Sequence, residues 1–140
     1  MTEGEVDAVL SAEKVITERL RWGRHGLSGP REFLDARVLD VESSELLVLR
    51  GNRTAGRPNY SFVLLYRGIP IRKLTVHAKH TNPDGQVIRG PHKHKWTEVD
   101  GDALAYVPND INWHSIDTAL VDFLAECNIR LAGAYQLGLN

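Results

Sequence analysis

A chain of 140 residues, 42% hydrophobic and 25% charged, is long enough for one globular domain spanning 1–140 and too apolar for a disordered chain. Its single cysteine, Cys127, excludes an intrachain disulfide, and no apolar run approaches the roughly 18 residues of a membrane span. The net charge of −1 conceals an asymmetry: from Arg50 to Trp96, ten Lys and Arg face one acid, Asp84, leaving seven bases and seventeen acids elsewhere.

In chain order, Val6, Val9, Ala12, Ile16 and Leu20 recur at helical spacing and predict a helix over 3–20. The acidic N-terminus lacks the pattern of a signal peptide, so a cytoplasmic location is expected. "WGRHGLSGP" breaks the helix. Two short apolar runs, 37–42 and 46–50, read as strands joined by a turn, and "GNRTAGRPN" reads as a polar loop carrying Arg53 and Arg57. "YSFVLLYR" reads as a central strand covered on both faces. "GIP" turns into "IRKLTVHAKH", "NPDG" turns again, and "HKHKWTEV" returns. After "DGDA", "LAYVP" ends the sheet region. Ile116, Leu120, Phe123, Leu124 and Cys127 make one apolar stripe on a final helix, with Ser115 as N-cap. The tail is apolar enough to pack back on the body. The expected class is α+β: an N-terminal helix, an antiparallel sheet of five to six hairpin-connected strands, and a C-terminal helix packed on the sheet.

"HAKHTNPDGQVIRGPHKHKW" holds four of the six histidines in twenty residues. On a strand, His92, His94 and Trp96 share one face, with Lys93 and Lys95 on the other. If Thr81 pairs with Gln86, Thr75 lies opposite His92 and Lys73 opposite His94. His77 and Lys79 then join the His92 face, whereas a one-residue bulge brings His80 there instead.

Three chemistries fit the cluster. A three-histidine tripod can hold zinc with an open position, although the surrounding lysines oppose it. Paired histidines near neutral pKa can take a proton from a ribose hydroxyl and return one to the leaving oxygen, with Lys79 stabilising the charge that builds up. Exposed His and Lys can also simply protect a strand edge. The charge asymmetry itself fits either an anionic partner or internal neutralisation by acidic helices. Trp22, Trp113, Tyr60, Tyr66 and Cys127 read as packing residues.

"HTNPDGQVIRGPHKH", the later "ALAYVP" and "FLAECNI" resemble a family of small bacterial and phage proteins known only as a domain of unknown function. The resemblance covers roughly residues 60 to 130 and implies a mobile-element or accessory protein. In the relatives, the residues between and after the two histidines are usually apolar. Here they are Lys93 and Lys95, which speaks against burial of that face. The P-H-x-H hairpin is also similar to the histidine pairs of small toxin ribonucleases.

The expected function is a metal-independent endoribonuclease of the small toxin type. His92 and His94, with His80 or His77, would share the acid and base roles, and Lys79 would stabilise the transition state. Arg53, Arg57, Lys93, Lys95 and Trp96 would hold the nucleic acid. No metal or other cofactor is expected. The expected partner is RNA or another anionic polymer, with an antitoxin, a host protein or a second copy of the chain as further candidates and no membrane. The alternative is a non-catalytic phage or plasmid protein that inhibits a host factor by binding nucleic acid or an acidic protein.

Overall fold

The computed structural model describes residues 1–24, 29–76, 79–109 and 113–135. Its first element, α1 (Glu3–Ser11), is shorter than the spacing predicts. Thr2 and Glu5 form a capping box at its start. At its end the fully buried Lys14 donates from Nζ to the carbonyls of Val9, Leu10 and Ala12 at 2.6, 3.0 and 2.6 Å. That ammonium satisfies the helix's orphan acceptors and stops it. Residues 14–16 become a strand instead of a further helical turn.

The strands are β1 (Lys14–Ile16), β2 (Arg31–Asp40), β3 (Leu46–Thr54), β4 (Tyr60–Tyr66), β5 (Ile69–Val76), β6 (His80–Thr81), β7 (Val87–Ile88), β8 (His92–Thr97), β9 (Gly101–Tyr106) and β10 (Ile129–Leu131). Eight of them form one sheet in the order β10-β1-β2-β3-β4-β5-β8-β9, and β6 and β7 pair separately. The run from β2 through β5, β8 and β9 is antiparallel between neighbours, as the short turns require. The sheet exceeds the expected five or six strands because β1 and β10 extend one edge. β10, from the apolar tail, pairs parallel to β1.

α2 (Ile116–Glu126) starts at the expected cap, with Ser115 accepting from the Thr118 amide. Its stripe is buried: Ile116, Leu120, Phe123 and Leu124 join Cys127 in the core with Val6 and Leu10 of α1. The sheet side of this core is Leu34, Ala36 and Val38, then Leu47 and Leu49, then Tyr60, Phe62 and Leu64. Both helices therefore cover one sheet face. Phe123 is fully buried and touches Phe62, with ring centroids 6.1 Å apart, a burial worth on the order of 3 kcal/mol. Burial pushes the Cys127 thiol up to about 12, so it packs as an apolar group. Among the described residues no helix is long and apolar enough to cross a membrane.

The opposite face is only half-covered. On β4, Tyr60, Phe62, Leu64 and Tyr66 are buried while Ser61, Val63 and Leu65 are intermediate, so the expected cover on both faces of this strand is incomplete. Over its far end lies the β6–β7 hairpin, turned at Asn82 to Gly85 with Gly85 at φ +89°.

Candidate functional site

The hairpin docks on the outer edge of β9. Asn82, 3% exposed, donates from Nδ2 to the Ala105 carbonyl at 2.9 Å and accepts the Ala105 amide on Oδ1 at 2.8 Å. One side chain thus imitates a strand's backbone and covers an edge that would otherwise be open. Replacing Asn82 by alanine strands two buried backbone groups. It should lower unfolding free energy by about 2–4 kcal/mol in urea titrations. Asn82→Asp, which keeps the acceptor, should recover part of that loss.

This docking brings His80 to His92 and His94. The ring centroids are 4.5 Å apart for His80 and His94, 5.1 Å for His92 and His94, and 5.5 Å for His80 and His92. One nitrogen from each ring lies within 4.8 Å of those from the other two. Among the described residues no carboxylate or thiol joins the group. Each ring is anchored by a main-chain carbonyl. His92 Nδ1 donates to Gly90 O at 3.0 Å, His94 Nδ1 to Asp102 O at 2.7 Å, and His80 Nε2 to Ala103 O at 2.7 Å. A carbonyl only accepts, so these contacts place the proton on the bonded nitrogen and leave the second nitrogen of each neutral ring bare. Burial, at 2% exposure for His92 and 8% for His94, lowers both imidazole pKa values. The charges of His80 and Lys73 lower them further.

The β5–β8 register is the expected one, with Thr75 opposite His92 and Lys73 opposite His94. Thr81, however, pairs with Val87 instead of Gln86. That one-residue offset puts His80, the bulge alternative, in the cluster. His77 lies outside the described residues.

The other expected site residues disperse. Lys79 is exposed next to His80. Lys93 faces the core, fully buried, with Nζ 3.0 Å from Glu126 Oε2, so it cannot reach a phosphate and the expected exposure of that face fails at this position. Glu126 is its counterion and also binds Arg72 at 2.9 Å. Arg53 is likewise withdrawn. It sits within β3, not in a loop, is 5% exposed, bonds Glu32 at 3.0 Å and stacks over Trp22 at 4.9 Å. Trp96 leaves the histidine face at a register shift between Lys95 and Thr97 and packs against the core. Lys95 is exposed on the strand face opposite the histidines. Arg57 is exposed at a separate cavity of about 430 Å³ lined with Tyr60, Trp113 and His114.

Half of the basic excess is neutralised internally. Arg50 pairs with Asp35, Arg53 with Glu32, Arg67 with Glu45, and Arg72 and Lys93 with Glu126. Arg57, Lys73, Lys79, Arg89 and Lys95 have no acid in ion-pair reach among the described residues. Lys73, Thr75 and Asn82 were not among the expected site residues. The register had placed the first two beside the histidines, and Asn82 had been read only as part of a turn.

Neither the curated proteins nor the solved structures offer a match to this chain. The HTNPDG turn, the P-H-x-H strand and the F-x-x-x-C-N-I segment, which together build the histidine cluster and its core support, lie inside a stretch matched by one family model: over residues 1–129 the chain belongs to DUF6978, a family of unknown function.

Proposed function

We propose that the protein is a metal-dependent phosphodiester hydrolase acting on RNA, with His80, His92 and His94 holding a zinc-type divalent ion. The observation that carries this reading is the set of three imidazoles, each held by a main-chain carbonyl and each with a nitrogen within 4.8 Å of those of the other two. Metal-bound histidines are oriented this way, through the N–H they do not use. Neutral imidazole also favours zinc, copper, nickel or iron over magnesium or calcium. Such an ion supplies Lewis acidity and a bound water that ionises near neutral pH.

The metal-independent mechanism expected from sequence receives less support. On His92 or His94 it would require a charged ring beside Lys73 and two other histidines, and burial opposes that charge. The exposed cations Lys79, Arg89 and Arg57 remain suited to a phosphate backbone. A second reading, a non-catalytic binding protein in which the ion only clamps the hairpin, is favoured by the low exposure of His92 and His94.

Cleavage of a structured RNA by the zinc-loaded protein separates the two. The hydrolase reading expects chelator-sensitive cleavage, abolished in His92→Ala/His94→Ala while RNA affinity stays within about threefold, since phosphate contacts dominate binding. RNA binding without cleavage, at any metal loading, would leave the clamp.

A further inference from the structure

We propose that Lys73 and Thr75 form an oxyanion seat beside the histidine cluster, built to hold a phosphoryl group against it. The inference deepens the metal reading of the cluster and rests on it. Lys73 and Thr75 are the cross-strand partners of His94 and His92, so the four side chains share one face of the sheet. Directly opposed side chains in such a pair have Cβ atoms about 5 Å apart. Lys73 lies directly across the ladder from His94, and no carboxylate pairs with it among the described residues. Thr75 Oγ1 is buried and has no hydrogen-bond partner. Its other neighbour, Ser61 on β4, is already engaged by Asn52 Nδ2 at 2.7 Å.

A buried hydroxyl without a partner is unfavourable in a folded protein, and two residues from it stands a half-buried lysine with no carboxylate partner. Both lie directly across from the His92 and His94 imidazoles. One ligand would satisfy all of them. A tetrahedral phosphoryl group offers an oxygen to the ion, a second to the Lys73 ammonium and a third to the Thr75 hydroxyl. A carboxylate has only two oxygens for three partners. The seat therefore selects phosphate over carboxylate by the number of acceptors and by charge.

The test is calorimetric titration of inorganic phosphate, with acetate as comparison, into wild type, Lys73→Met and Thr75→Val, each with and without one equivalent of zinc. Both substitutions keep side-chain size, and a thermal melt confirms folding. The seat predicts phosphate binding to the zinc-loaded wild type and a loss of about tenfold or more in Lys73→Met, the scale of one charge-assisted hydrogen bond. Thr75→Val should lose a smaller factor, both variants should keep zinc affinity within about threefold, and acetate should bind more weakly than phosphate. Equal phosphate affinity in wild type and Lys73→Met, acetate binding as tight as phosphate, or no phosphate binding in any form would overturn the seat. Absence of zinc binding in wild type would instead remove the metal reading. The zinc-free titrations would then decide the seat, with loss in Lys73→Met supporting it and no difference rejecting it.

Discussion

Glu126→Ala should destabilise the protein by about 3–5 kcal/mol, the usual consequence of removing one partner from a buried ion pair. Glu126 is the counterion of Lys93, whose side chain is fully buried, and of Arg72, whose side chain is 16% exposed. Without the carboxylate, an ammonium remains between sheet and helix with its charge uncompensated, and α2 loses its tie to β5 and β8. A domain of this kind has about 5–15 kcal/mol in total, so the variant should unfold at much lower urea concentration. The effect belongs to the stranded charge, not to the value of the salt bridge. Adding Lys93→Met to Glu126→Ala should therefore restore part of the loss, because it removes the stranded Lys93 charge while Arg72 remains without its carboxylate. Glu126→Ala unfolding within about 1 kcal/mol of wild type would mean that water reaches Lys93 and that the network is weak.

Zinc should stabilise the wild type and should cease to do so in each of His80→Ala, His92→Ala and His94→Ala. An ion that binds only the folded chain adds about 2.7 kcal/mol at a free concentration a hundredfold above its dissociation constant. For a chain of this size the melting temperature should rise by about 7–11 °C. His80 is the discriminating position, because it comes from the hairpin while the other two share β8. An ion held by His92 and His94 alone would leave the zinc effect in His80→Ala nearly intact. Lys79→Ala, next to His80 but exposed, should respond to zinc as wild type does.

The parts of this site that were legible in the sequence are those set by local chemistry. NPDG fixes the turn and alternation fixes the shared face of His92 and His94; Thr75 and Lys73 lie opposite them as expected, although the Thr81–Gln86 pairing from which that register was read does not form. What was not legible depends on distant partners. Nothing near Lys93 announces that Glu126 will neutralise it in the core, and nothing near Arg53 announces Glu32. Both lysine and arginine therefore read as surface charge. Ile16 and Leu20 continue the helical spacing of α1, but Lys14 closes the helix, and the strand that replaces it is held between β2 and β10, the latter returning from the chain's other end. Trp96 illustrates a third limit. Alternation predicts its face only until a bulge intervenes, and the glycine that marks the shift, Gly101 at φ +60°, sits on the partner strand opposite Thr97.

The proposed chemistry depends on the coordination of an ion by His80, His92 and His94. X-ray absorption at the zinc edge of protein carrying one equivalent of zinc tests this most directly. It should give imidazole scattering from three histidines with zinc–nitrogen distances of about 2.0–2.1 Å and one further light-atom ligand. Loss of one imidazole should follow in His80→Ala. A first shell of oxygen alone, or of sulfur at about 2.3 Å from Cys127, would contradict it.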